Sequence, residues 1–127
     1  MVVGLDITVR HERGSAVVVL TGEIDISTVP QLRDRLFELA GAGEHVIVDL
    51  EQVSFIDSAG LGALIGASRR AQSHGGSLQA VCASPQTRKL LWLTGVDRRI
   101  PLGASLDEAL AATPSPEASQ ADQPPRR

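Results

Sequence analysis

Between Leu5 and Arg10 apolar and polar residues alternate, and after a turn at Gly14-Ser15 the run Ala16 to Leu20 is apolar and mostly β-branched. That pair of patterns predicts two strands joined as a hairpin. Thr28-Val29-Pro30-Gln31 then reads as a helix start, with Thr28 as cap, Gln31 reciprocating three residues later and Pro30 in the first turn. Leu32, Leu36, Leu39 and Ala40 keep one face of this helix apolar, and Gly41 and Gly43 end it. His45 to Leu50 is an apolar strand, and Ala59 to Ser73 carries helical spacing at Leu61, Leu64, Ile65 and Ser68, closed by Gly75-Gly76. Ser77 to Ala83 predicts another strand, Ser84-Pro85 a capped helix start, and Arg99 to Leu102 a short strand. Ser105-Leu106-Asp107-Glu108 is a second capping box and opens a last helix to Ala112.

The resulting order is ββαβαβαβα. Strands alternating with helices after the hairpin imply right-handed crossovers, hence an α/β sandwich with a mixed, mostly parallel sheet of about five strands and four helices. The apolar strands fit a sheet covered by helices. From Thr113 onward TPSPEASQADQPPRR holds four of the seven prolines and no large apolar residue. Such a stretch buries too little surface to offset its ordering entropy. The expectation is a domain over 1–112 and a disordered tail over 113–127.

Composition narrows the function. The 127 residues suit one core, built from aliphatic side chains because aromatics are only 2%. A formal net charge of -3 argues against nucleic acid and acidic membranes as partners, since both require a basic surface. The basic pairs Arg69-Arg70, Arg88-Lys89 and Arg98-Arg99 lack flanking aromatics and read as solvated faces. Cys82 is the single cysteine, lies in an apolar run and reads as core; with no second ligand at a metal spacing, neither a metal nor a cofactor is implied. No signal-peptide pattern and no apolar run near the ~20 residues of a membrane span occur, so a cytoplasmic protein is expected.

Chemistry concentrates in Phe55-Ile56-Asp57-Ser58-Ala59-Gly60-Leu61-Gly62, where a strand meets a helix. Gly60, Gly62 and Gly66 fall inside the helix, where each costs about 1 kcal/mol relative to Ala. Close packing on the sheet is one explanation, with Gly62 and Gly66 joining Ala59, Ala63 and Ala67 in a small-residue face. Ser58 is either the helix cap or, with Asp57 as the cap, a first-turn residue whose hydroxyl points outward. A phosphate in the second position would meet backbone N–H groups and the positive end of the helix dipole.

Enzyme readings fit poorly. Ile56 stands where a nucleophile elbow needs Gly, and His11, His45 and His74 fall at element ends, where no Ser-Asp-His arrangement can be argued. The glycines from Gly60 to Gly66 lie within a helix and miss the dinucleotide spacing. A hydrolase using Ser58 is the rival reading.

Taken together, Leu20 to Asp25, Val46 to Leu50 with Asp49, Phe55 to Gly62, and Ser84-Pro85 through Thr94-Gly95 resemble the STAS domain family, and within it the bacterial anti-sigma factor antagonists. The resemblance covers Leu5 to Ala112 and extends to element order. It implies a partner switch: the unphosphorylated form binds an anti-sigma factor of the histidine-kinase-like ATPase type and frees the sigma factor. That ATPase phosphorylates the serine matching Ser58, and a metal-dependent serine phosphatase reverses it. Asp25 and Asp57 match acidic positions beside the phosphoacceptor, and Ile26, Ser27 and Thr28 belong to a loop on the partner surface. Ala59, Gly60, Leu61 and Gly62 complete that surface. Some members carry a second serine where this chain has Ala59.

Two alternatives stay open. Within the family, the chain could instead be a non-catalytic subunit scaffolding a transporter or a sensory complex, with Ser58 incidental. On the helix after Ser84, Thr87, Leu90, Leu91 and Thr94 share one face and leave Trp92 beside Arg88 and Lys89, either as a partly buried structural residue or as a partner-facing anchor.

Overall fold

The computed structural model describes residues 4–113. β1 (Leu5–Glu12) and β2 (Ser15–Ile24) form the expected antiparallel hairpin. Its turn lies one residue earlier than expected, at Arg13-Gly14, whose φ values of 53° and 82° are the positive pair that a type I′ connection requires, and Ser15 already pairs with Glu12. Then follow α1 (Val29–Gly41), β3 (His45–Ile56), α2 (Ser58–Ser73), β4 (Ser77–Val81), α3 (Pro85–Leu93), a 3₁₀ turn (Val96–Arg98), β5 (Leu102–Gly103) and α4 (Leu106–Ala112). The sheet order is β1-β2-β3-β4-β5, with every pairing after the hairpin parallel.

Side chains alternate across this sheet as the strand period of two demands. Ala16, Val18, Leu20, Val46, Val48, Leu78 and Ala80 point to the face covered by α1, α2 and α3, where Leu32, Leu36, Leu64 and Leu91 meet them. Val17, Ile47 and Val81 point to the other face, where α4 supplies Ala109 and Leu110. Cys82 is fully buried on the larger side, and that burial pushes its thiol pKa up.

Four further local readings change. Thr28 precedes α1 without capping it: its hydroxyl accepts from the Asp25 amide at 2.9 Å and donates to the Glu23 carbonyl at 2.9 Å. Gln31 does not reciprocate either, because its amide group donates to the Leu5 carbonyl at 2.9 Å and so ties α1 to β1. The last predicted strand shrinks: Arg99 and Ile100 belong to the end of the 3₁₀ turn, and only Leu102-Gly103 pairs with β4. Thr113 is no tail residue, since its hydroxyl donates to Ala109 O at 2.9 Å and accepts from Gln79. The rest of the expected tail lies outside the described residues.

The capping serines stand as read. Ser84 accepts from the Thr87 amide, and Ser105 accepts from the Glu108 amide at 3.1 Å while the Glu108 carboxylate takes the Ala104 amide.

Candidate functional site

β3 runs six residues past Leu50, to Ile56, and this extension builds the site. β2 follows it through two register shifts, so that Ile24 lies opposite Ile56 and the two parallel strands end together. Their successors, the Asp25–Thr28 loop and the first turn of α2, therefore emerge side by side.

Asp57 caps α2: its Oδ1 accepts from the amides of Ala59 at 3.0 Å and Gly60 at 3.1 Å. Its own amide donates to Ile24 O at 3.1 Å, which hangs the cap from the end of β2. With the cap assigned to Asp57, Ser58 is the first helical residue. Its side chain is exposed and makes no hydrogen bond among the described residues. The amides of Ala59 and Gly60, expected to be free for a phosphate, are already held by a carboxylate. A phosphate on Ser58 would thus add about two negative charges beside an existing one rather than occupy an empty cap.

The neighbouring loop is held by its own polar groups. Asp25 Oδ1 accepts from the Ser27 hydroxyl at 2.6 Å and from the amides of Ser27 and Thr28 at 2.9 and 3.2 Å. The Ser27 hydroxyl bond, with help from those amides, lowers the Asp25 pKa below the usual carboxylate value. With both flanks fixed in this way, Ile26 is left 80% exposed at the tip.

The residues singled out from the sequence divide into two groups. Ile26, Ser27, Ser58 and Gly62 are exposed, and Asp25, Asp57 and Ala59 are half-buried. Thr28, Gly60 and Leu61 are buried, so they shape the surface from beneath instead of presenting side chains to a visitor. The glycine face also needs correction. A Cβ on Gly60 would strike the Ile24 side chain and come within 3.0 Å of Ile56 Cγ1, and one on Gly66 would meet Phe37 Cζ at 3.1 Å. One on Gly62 meets nothing within 4 Å, so no packing inside the chain accounts for it.

Phe55, not chosen from the sequence as a site residue, is 51% exposed and lines a groove of about 320 Å³ with Val53, Ser54, Ile56, Gln86, Thr87 and Leu90. The sequence carries only a faint signal for it, the alternation Gln52-Val53-Ser54-Phe55, too short by itself to extend the strand. Trp92 is 62% exposed and Leu93 63%. At 100° per residue Trp92 lies about 200° around α3 from the groove-lining Leu90, on the opposite flank of that helix.

A sheet that presents a free serine, two fixed acidic residues and exposed apolar side chains at one end suits a surface for docking more than a cavity for chemistry. The STAS domain model matches residues 6–109, and the chain belongs to that family. It is 32% identical over 100 residues to the anti-sigma-B factor antagonist of Bacillus subtilis, covering 79% of this chain and 92% of that protein. It is 30% identical to the anti-sigma F factor antagonist of Paenibacillus polymyxa, covering 77% and 86%. Among solved structures, an anti-sigma factor antagonist from Mycobacterium paratuberculosis superposes with a TM-score of 0.80 at 32% identity, over 87% of this chain and 94% of that one. The Bacillus antagonist SpoIIAA in its unphosphorylated form matches at a TM-score of 0.69 and 27% identity, over 83% and 93%. A murine anion transporter, Slc26a9, shares the fold at 21% identity.

Proposed function

We infer that this chain is an anti-sigma factor antagonist that works by binding, not catalysis, and that phosphorylation of Ser58 switches the binding off. The observation that carries the switch is the exposed, unengaged Ser58 hydroxyl in the first turn of α2, beside the capping Asp57. The relatives support the role, and one of them, SpoIIAA, has been captured in both phosphorylated and unphosphorylated forms.

In the binding form a partner lies over Ser58, with Ile26, Ser27 and Asp25 on one side and Gly62 on the other. The absence of a side chain at Gly62 lets the partner's backbone approach α2 one turn beyond the serine. Phosphate at Ser58 would have to be desolvated beside the Asp57 carboxylate, and unless the partner supplies a cation the unpaired buried charge costs several kcal/mol. Each 1.4 kcal/mol weakens binding tenfold, so the charge alone breaks the complex with no change of fold.

The partner is an anti-sigma factor with serine kinase activity, and a serine phosphatase restores the active form; this cycle places the protein in the cytoplasm. Incubation with such a kinase and ATP tests the reading. Phosphate should appear on Ser58 and the complex should dissociate. Phosphate on another residue, or a complex that survives modification, refutes it.

A further inference from the structure

We propose that a second site, for a phosphate-bearing anion, lies at the other end of α2. Ile65, Ser68, Arg69 and Gln72 follow one another at helical spacing on the flank of α2 away from α1, and with Arg98 and Arg99 of the 3₁₀ turn they line a cleft of about 320 Å³. No carboxylate is among these residues.

Of the other described arginines, all but Arg13 are engaged within the chain. Arg10 and Arg35 pair with Glu12 and Glu38. Arg33 and Arg70 lie over the Phe37 ring at 5.6 and 5.9 Å, and Arg70 also donates to the Phe37 carbonyl at 3.0 Å. Arg88 donates to the Cys82 carbonyl at 2.7 Å. Arg69, Arg98 and Arg99 make no ion pair and no side-chain hydrogen bond among the described residues, yet they converge on one cleft. Asp97, their nearest acidic neighbour in sequence, has a buried Oδ1 without a partner and does not line the cleft.

Three arginines lining one cleft, with no carboxylate in its wall, make that cleft electropositive, a setting that an anion relieves. Their planar forks suit phosphate oxygens, which they bind in pairs of parallel hydrogen bonds. The buried Ser68 and the Gln72 amide add neutral polar groups to the same wall. The cleft lies at the low end of the size range for ligand sites, which fits a small anion better than a whole cofactor. Arg69 is eleven residues beyond Ser58 in sequence, about 16 Å along α2, so this site is separate from the phosphoacceptor.

The test is an amide-resolved NMR titration of the full chain at low salt, with sodium pyrophosphate in one arm and ATP in the other. Saturable shifts of the amides of residues 65–72 and 96–99 are expected. Binding should weaken about tenfold in Arg69→Gln and in the Arg98→Gln/Arg99→Gln double variant. Arg69→Lys, which keeps the charge and loses the fork, should weaken it severalfold, and Arg13→Gln on the distant hairpin turn should change nothing. Binding of pyrophosphate alone assigns the free anion, and equal shifts with ATP admit a nucleotide's phosphate tail; either supports the site. No saturable shift with either probe, shifts unchanged in Arg69→Gln, or shifts centred on residues 58–61 would overturn it.

Discussion

Asp57 donates its amide to Ile24 at 3.1 Å, so the residue that caps α2 is fixed by the strand that leads into the neighbouring loop. Ser58 therefore stands on a support made from both halves of the site. Asp57→Ala should cost about 1 kcal/mol of stability through the lost cap, read as a lower denaturation midpoint. It should also loosen the amides of residues 59 and 60 in hydrogen exchange. Unchanged protection there would show that the cap does not fix the turn.

Ser58→Asp should unfold at nearly the same temperature as the parent, because the side chain is exposed and unengaged. Binding to the anti-sigma factor should fall by tenfold or more, on the scale of about 1.4 kcal/mol per decade. Ser58→Ala should bind normally and resist the kinase. A pull-down in which Ser58→Asp recovers as much partner as Ser58→Ala would remove Ser58 from the switch.

The two glycines on either side of Leu61 should respond in opposite directions. Gly60→Ala drives a methyl into Ile24 and Ile56 and should destabilise by about 1–3 kcal/mol. Gly62→Ala enters open space in a helix interior and should stabilise by up to about 1 kcal/mol. The same substitution should weaken the partner complex, which calorimetry would detect. A Gly62→Ala protein that is more stable and binds equally well would show that no partner approaches α2 there.

Trp92 should emit at the long wavelengths of a solvated indole and be quenched readily by acrylamide, given its exposure of 62%. If it anchors a partner, saturating anti-sigma factor should shift the emission to shorter wavelength and protect it. Quenching that is identical in the complex would take Trp92 out of the interface.

The Asp25 loop should open only once the pH falls below the ordinary aspartate value. Its carboxylate pKa is lowered, chiefly by the Ser27 hydroxyl, so the interaction is present above the ordinary Asp value and is lost as pH falls through the folded one. The amides of Ser27 and Thr28 should titrate with midpoints below that of an ordinary aspartate. Midpoints at or above that value would mean that the hydroxyl bond does not form.

Much of this architecture was legible because hydrophobic period reports burial. The element order, the core face of α1 and the capping serines 84 and 105 followed from spacing and cap chemistry. What escaped depended on partners distant in sequence. Glu51 to Ile56 resembles a loop in isolation, and only pairing with the shifted end of β2 makes it a strand. Thr28 and Gln31 carry the capping-box residue types, but the tight Asp25–Thr28 loop gives Thr28 the Glu23 carbonyl, and the hairpin brings Leu5 from 26 residues away to Gln31. β5 shortens because the chain after α3 first turns through Val96–Arg98. Ser58 was legible as a residue, whereas the freedom of its hydroxyl depended on which neighbour took the cap. Gly62 matched Gly66 in sequence and differs from it only in having Phe37 out of reach.

Because β2 and β3 are parallel neighbours that end level, the proposed docking surface is assembled from two stretches of chain encoded some thirty residues apart. The loop with Ile26 can be lengthened or recoded without touching the turn that holds the serine. A lineage of such proteins could thus change whom it recognises while keeping one shared means of being told to let go, and parallel signalling circuits could diverge in a single cell without each inventing its own release.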